Sequence, residues 1–196
     1  MTKSTIQPPP TVVGFDMDGV IIDHTENKIT LAQRFGVILR PDETHSELLA
    51  RHFRRDDYLA LQNELYGNTD LALSAPLMGG ALNVLMELRK HGVPFVLISR
   101  RRVPENAIAL LSRRGLWGEI FNESNAFFVQ SPVEKNTVGL REEVSHFFDD
   151  ERKVLLVMKD IGHRYLFDSF NQFSDEETFP RVHNWEMVRT AIRAGV

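Results

Sequence analysis

Six side chains in the 196-residue sequence have the types and placement to work together: Asp16 and Asp18 within Asp16-Met17-Asp18-Gly19, Ser99, Lys135, and the pair Asp149-Asp150. Four carboxylates in one place repel one another unless a cation neutralises them. Hard oxygen donors select Mg²⁺, which keeps several waters and is usually shared with a phosphate. The set therefore asks for a metal and a phosphoryl group together. Asp16 is the candidate nucleophile, splitting one difficult displacement into two steps. Asp18 is the candidate proton donor and acceptor. Ser99 and Lys135 would hold phosphoryl oxygens, with Lys135 offsetting the charge that builds up. Asp149 and Asp150 would complete a magnesium site with the Asp16 carboxylate and the backbone carbonyl of Asp18. Gly19 lets the chain turn sharply beside the phosphate position. Arg100, directly after Ser99, is expected to face the same site.

These residues need a scaffold that brings them to one edge, and the apolar pattern supplies one. Thr11–Phe15 reads as a buried strand, as do Val93–Ile98, Phe127–Val129, His146–Phe148 and Arg164–Phe167. Helices lie between them. Ala81, Leu82, Leu85, Met86 and Leu88 mark one apolar face, closed by His91-Gly92. Ala107, Leu110 and Leu111 mark a second helix, and Thr137, Leu140 and Val144 a third. Val154, Val157, Met158 and Ile161 recur at helical spacing on one helix, and Trp185, Val188 and Ile192 on the last. Strands alternating with helices predict an α/β fold, a doubly wound parallel sheet. Ligands of such a sheet bind at the carboxyl ends of the strands, where Asp16, Ser99 and Asp149-Asp150 fall.

Residues 24–78 differ. They are polar, broken by Pro41, Gly67 and Pro76, and carry apolar pairs at helical spacing: Leu31/Phe35, Leu49/Phe53 and Leu61/Leu65. They predict a small helical insertion of three or four short helices. The expected organisation is a core of residues 8–23 and 79–196 with a helical cap at 24–78. Within the cap, Arg51, Arg54 and Arg55 are expected on one helix, with Arg51 and Arg55 sharing a face.

Composition narrows the class. Hydrophobic residues are 42% and charged residues 26%, enough for a folded core. Net charge is −4, which argues against an electrostatic nucleic-acid partner. No apolar run approaches the ~20 residues of a membrane span, and Met1–Pro10 lacks the apolar segment of a secretory signal. There are no cysteines, so thiolate chemistry and disulfides are excluded, which fits a cytoplasmic protein. Seventeen of the 23 basic residues are arginines, clustered at Arg54-Arg55, Arg100–Arg102 and Arg113-Arg114. Arg113-Arg114 reads as a solvated helix face. His24 lies next to the first acidic pair, as a substrate contact or a surface residue. His45 and His52 read as solvent-exposed.

The acidic motifs resemble those of the haloacid dehalogenase (HAD) superfamily of phosphohydrolases. The first motif of that family, an apolar strand ending D-x-D-G-[TV], stands as Gly14-Phe15-Asp16-Met17-Asp18-Gly19-Val20. The second stands as Val96-Leu97-Ile98-Ser99, the third as Lys135, and the fourth as His146-Phe147-Phe148-Asp149-Asp150. A calcium loop starting at Asp16 would need a glutamate at its twelfth position, which is Asn27. The resemblance covers roughly residues 11–192. It implies a Rossmann-like core and a Mg²⁺-dependent hydrolysis of a small phosphorylated metabolite through a phospho-aspartyl intermediate on Asp16. Asp18, absent from the dehalogenases of the family, favours phosphoryl chemistry. Eighty-one positions separate Asp18 from Ser99 and only 36 separate Ser99 from Lys135, so the cap follows the first motif, joined through a flap at Val20–His24. A phosphomutase of the same family and a catalytically idle phosphate- or metal-binding module are the alternatives. A receiver domain fits poorly, since its phosphoacceptor follows the third strand.

Overall fold

A computed structural model describes residues 11–174 and 178–194. The ends of the expected core, residues 8–10 and 195–196, lie outside the described residues, as does the segment read for a leader, residues 1–10. Strand β1 (Val12–Phe15) leads to helices α1 (Thr25–Gln33), α2 (Ser46–Leu49), α3 (Arg55–Leu65) and α4 (Asp70–Leu73). Then follow α5 (Ala81–Lys90), β2 (Phe95–Ser99), α6 (Pro104–Arg113), β3 (Ala126–Phe128), α7 (Pro132–Arg141) and β4 (Val144–Asp149). The described chain closes with α8 (Arg152–Val157), β5 (His163–Phe167), β6 (Arg181–Val182) and α9 (Trp185–Ala194). No helix among the described residues is long and apolar enough to cross a membrane.

The six strands form one parallel sheet in the order β3-β2-β1-β4-β5-β6. The strand bearing Asp16 is therefore interior, flanked by the strands bearing Ser99 and Asp149. Side chains alternate across the sheet. Val13, Phe15, Leu97 and Phe148 meet α5, α6 and α9 on one face. Val12, Val96, Ile98, Phe147 and Leu166 meet α8 and Val138 of α7 on the other. Both faces are covered, which is the doubly wound arrangement expected of near-continuous apolar strands. Gly14 has a packing reason: a Cβ there would lie 2.4 Å from the Phe147 ring.

Several helix faces depart from the sequence reading. In α5 the buried positions are Ala81, Val84, Leu85 and Leu88, while Leu82 and Met86 are 41% and 48% exposed. Val84, four residues before Leu88, completes the inward stripe and leaves those two outside it. Helix α7 ends at Arg141, and Val144 opens β4 instead. Leu140 of α7 faces solvent. Helix α8 stops at Val157; Met158 and Ile161 are buried, but on the turn leading to β5.

Residues 25–73 gather around an apolar cluster of Leu31, Ala32, Leu39, Leu49, Leu61 and Leu65. The Leu49/Phe53 spacing marks a shared interior but not one helix. Ala50–His52 forms a 3₁₀ turn and Phe53 and Arg54 are extended. Phe53 still packs edge-on to Phe35, with ring centroids 6.2 Å apart. Arg51, Arg54 and Arg55 consequently lie on a turn, a cap position and a helix start, all exposed. They share no helical face.

Candidate active site

The site is built at the carboxyl edge of β1, β2 and β4. The Asp16 N–H continues the ladder by donating to the Phe148 carbonyl at 2.9 Å. That bond fixes Asp16 beside Asp149, the last residue of β4. Lys135 comes from α7, whose start is well specified. Pro132 occupies its first turn, Ser131 caps it by accepting from the Glu134 N–H, and the Glu134 side chain accepts from the Gln130 N–H. One turn in, the Lys135 ammonium donates to Asp16 Oδ1 at 2.8 Å and Asp149 Oδ2 at 2.6 Å. It lies 5.2 Å from the centre of the Phe147 ring, the same ring that Gly14 accommodates.

Asp16, Asp149 and Asp150 each offer an oxygen within 4.8 Å of the others. Burial and mutual repulsion push all three carboxyls up, Asp16 to about 7, Asp149 to about 6 and Asp150 to about 7, although Lys135 pulls Asp16 and Asp149 down. Burial lowers the Lys135 ammonium, but Asp149 and Asp16 outweigh it and hold it above the usual lysine range. Ser99, at the end of β2, is 1% exposed and its Oγ has no protein partner. A buried hydroxyl without a protein partner, on the wall of a polar cavity, can bond to a ligand oxygen there. Three hard carboxylates that resist ionising together are the donor set for a divalent cation such as Mg²⁺. The residues present fit both groups.

The Asp18 side chain is not among the three carboxylates grouped at Asp16, Asp149 and Asp150. Arg101 donates to both its oxygens, Nε to Oδ2 and Nη2 to Oδ1, each at 2.7 Å. His24 Nε2 lies 2.7 Å from Oδ1. Burial opposes ionisation of Asp18, yet Arg101 and His24 outweigh it and hold the carboxyl well below the usual range. The Arg101 guanidinium lies 4.4 Å from the centre of the Tyr66 ring. His24 is thus a buried partner of the first motif rather than a surface residue.

Gly19 takes φ +81°, the turn expected of it, but its N–H is used by the Ile22 carbonyl at 2.9 Å and does not face a ligand. Its lack of a side chain serves Asp150, whose Oδ2 would lie 2.4 Å from an added Cβ. Residues 20–24 form a tight turn in which the N–H groups of Ile21 and Ile22 both donate to the Met17 carbonyl. Asp150 does not cap α8, which begins after Glu151. Its Oδ2 accepts instead from the Ser46 hydroxyl at 2.6 Å.

Arg100 is paired with Glu151 at 2.7 Å. Above the acidic edge opens a cavity of about 340 Å³. Asp16, Asp18, Ser99 and Asp150 are in its lining, with Gln62, Asn63 and Tyr66 from the α3 region and Asn106 and Gln130 from the core. Arg51, Arg54 and Arg55 are not among its walls. His45 is buried, not exposed, with its ring edge-on to Phe173 at 4.9 Å, and burial lowers it to about 4. Arg114, half-buried, donates to the Leu73 carbonyl, while Arg113 stays in solvent. Sequence reasoning missed Arg101, Ser46 and Tyr66. The arginine triplet after Ser99 was the signal for Arg101, but which member turns inward depends on the loop path.

No family model and no curated protein matches this sequence. Solved structures do. A HAD family hydrolase from Deinococcus radiodurans, crystallised with bound phosphate and sodium, is 17% identical, with 96% of this chain and 98% of that chain covered and a TM-score of 0.63. A HAD-superfamily hydrolase from Ehrlichia chaffeensis is 15% identical over 96% and 98% of the two chains, with a TM-score of 0.61. A family IA, variant 3 HAD hydrolase from Entamoeba histolytica is 18% identical over 93% and 99%, with a TM-score of 0.58. These likenesses show that this chain shares the fold of those HAD-family hydrolases.

Proposed function

We propose that the protein is a Mg²⁺-dependent phosphatase of a small phosphomonoester, with Asp16 as nucleophile. The observation that carries this reading is the Lys135 ammonium, bonded to both Asp16 and Asp149, where Asp16 and the unpaired Ser99 hydroxyl belong to the walls of one polar cavity. Asp16, Asp149 and Asp150 would hold the cation, which supplies charge neutralisation for the phosphoryl oxygens. Ser99, Lys135 and Arg100 would bind those oxygens. An Asp16 oxygen bonds to phosphorus as the bond from phosphorus to the leaving oxygen breaks, giving an aspartyl phosphate. The leaving oxygen takes a proton. Water then attacks phosphorus, gives up a proton, and frees the Asp16 carboxylate and phosphate.

Asp18 is proposed to move both protons. As it stands, clamped by Arg101 and His24, it suits the second half, accepting a proton from water; donating in the first half requires Arg101 to loosen. Residues 24–78 would act as the cap, whose α3 supplies Gln62 and Asn63 to the substrate side of the cavity.

The test is phosphate release from p-nitrophenyl phosphate with Mg²⁺, with excess chelator, and in Asp16→Asn. Activity should vanish on chelation, return with Mg²⁺, and fall about a thousandfold or more in Asp16→Asn. Activity of the variant within tenfold of wild type would exclude the covalent route. A mutase would return phosphate to a second sugar phosphate faster than to water.

A further inference from the structure

Ser46 opens α2, on the helical segment, yet its Oγ–H donates to Asp150 Oδ2 at 2.6 Å, across 104 positions of sequence. The next residue is also tied to the core. Glu47 Oε2 accepts from Arg152 Nε at 3.0 Å and Nη2 at 2.8 Å. The Arg152 guanidinium lies 4.0 Å from the centre of the Phe173 ring, which His45 of the same segment meets edge-on. On the cap side the buried Lys28 ammonium donates to the Thr44 carbonyl at 2.8 Å. Residues 44–47 are thus held from three directions, and the polar atom that this clamp presents to the site is the Ser46 hydroxyl.

Asp150 needs such a partner. It sits among carboxylates that repel it, and a free side chain would rotate away from Asp16 and Asp149. Gly19 leaves the space it occupies, and Ser46 fixes which way it points. We propose that Ser46 is a positioning residue for the metal carboxylate Asp150, so that cation binding and the seating of residues 41–52 on the core are one coupled equilibrium. This rests on the metal-dependent reading above. Groups that orient a metal ligand typically contribute about 10–100-fold in affinity. Reciprocity then requires the bound cation to hold the segment down by the same factor.

The experiment is calorimetric titration of the intact protein with Mg²⁺, for wild type, Ser46→Ala, Ser46→Thr and Asp149→Asn, with amide hydrogen exchange of residues 41–52 with and without Mg²⁺. Ser46→Ala should weaken Mg²⁺ binding about 10–100-fold, and Ser46→Thr, which keeps the hydroxyl, should stay within about threefold of wild type. Mg²⁺ should slow exchange of the 41–52 amides in wild type, and less so in Ser46→Ala. A merely structural serine would alter stability without the threonine rescue of affinity. Wild-type binding with Ser46→Ala within twofold of it, or exchange of 41–52 indifferent to Mg²⁺, overturns the coupling alone. Wild type binding no better than Asp149→Asn overturns the metal reading, and the coupling with it.

Discussion

Replacing Lys135 with methionine keeps the volume and removes the charge that lets three carboxylates share one pocket. The ammonium contacts two of them at 2.8 and 2.6 Å. At an effective dielectric of ~20 each contact is worth about 6 kcal/mol of attraction. The cost of desolvating the ammonium offsets much of this, and breaking a buried pair leaves a net loss of about 3–5 kcal/mol. The loss depends on pH with a definite sign. Asp16, Asp149 and Asp150 titrate at about 7, 6 and 7 in the fold against 3.8 for a free aspartate. The folded state then binds more protons than the unfolded one between about pH 4 and 7, so stability of the metal-free protein falls as pH rises through that window. Lys135→Met should steepen this fall and extend it upward, because the ammonium that lowers Asp16 and Asp149 is gone. Urea denaturation in chelator should show the loss of about 3–5 kcal/mol near pH 8 and about 1–2 kcal/mol near pH 5, where the carboxyls are protonated and only hydrogen bonds are missing. Added Mg²⁺ should restore part of the loss near pH 8. A loss below about 1 kcal/mol near pH 8, or equal losses at both pH values, would refute the argument.

Arg101→Met should leave Asp18 buried without its fork, costing about 3–5 kcal/mol in urea denaturation and raising the apparent pKa of the acid limb of the pH–rate profile; an unmoved limb would mean that Arg101 does not govern Asp18. Gly19→Ala meets both a positive φ and the Asp150 carboxylate, so thermal denaturation should show a destabilisation of at least about 1–2 kcal/mol. Arg51→Ala and Arg55→Ala should leave kcat/KM within about twofold for p-nitrophenyl phosphate and for a substrate with a second anionic group, since both side chains lie in solvent away from the cavity.

The residues that touch one another through the sheet were legible in the sequence. Asp16, Ser99 and Asp149 end apolar strand runs, and strand ends in a parallel sheet converge by topology. Lys135 was singled out as the third motif of the resemblance; Ser131, Pro132 and Glu134 start the helix that carries it. What was hidden depends on contacts between distant segments. Arg101 rather than Arg100 takes Asp18, and nothing in an arginine triplet encodes which member turns inward. Ser46 meets Asp150 only because the Glu47–Arg152 pair seats α2. The Leu49/Phe53 spacing was read as helix because a 3₁₀ turn followed by an extended residue can bury the same two side chains. Exposed Leu82 and Met86 show the limit of a periodicity that counts apolar residues without knowing the angular width of the buried face.

The place of β1 in the sheet bears on how the molecule is made. It is the first strand among the described residues, yet it lies between β2 and β4, whose sequences emerge some 80 and 130 residues later. The loop after it is fastened later still: Trp185 of α9 donates from Nε1 to the Val20 carbonyl at 2.8 Å and packs against Phe15, with centroids 5.1 Å apart. Pairings this distant in sequence are entropically expensive to close and form slowly. During translation β1 must therefore wait, apolar, with its β2 edge unpaired until about residue 100 is made and its β4 edge unpaired for some 50 residues more. Nascent chains arrested before Trp185 should lack an ordered Asp16–Asp18 loop, and the seconds spent in that state are when the chain most needs a chaperone.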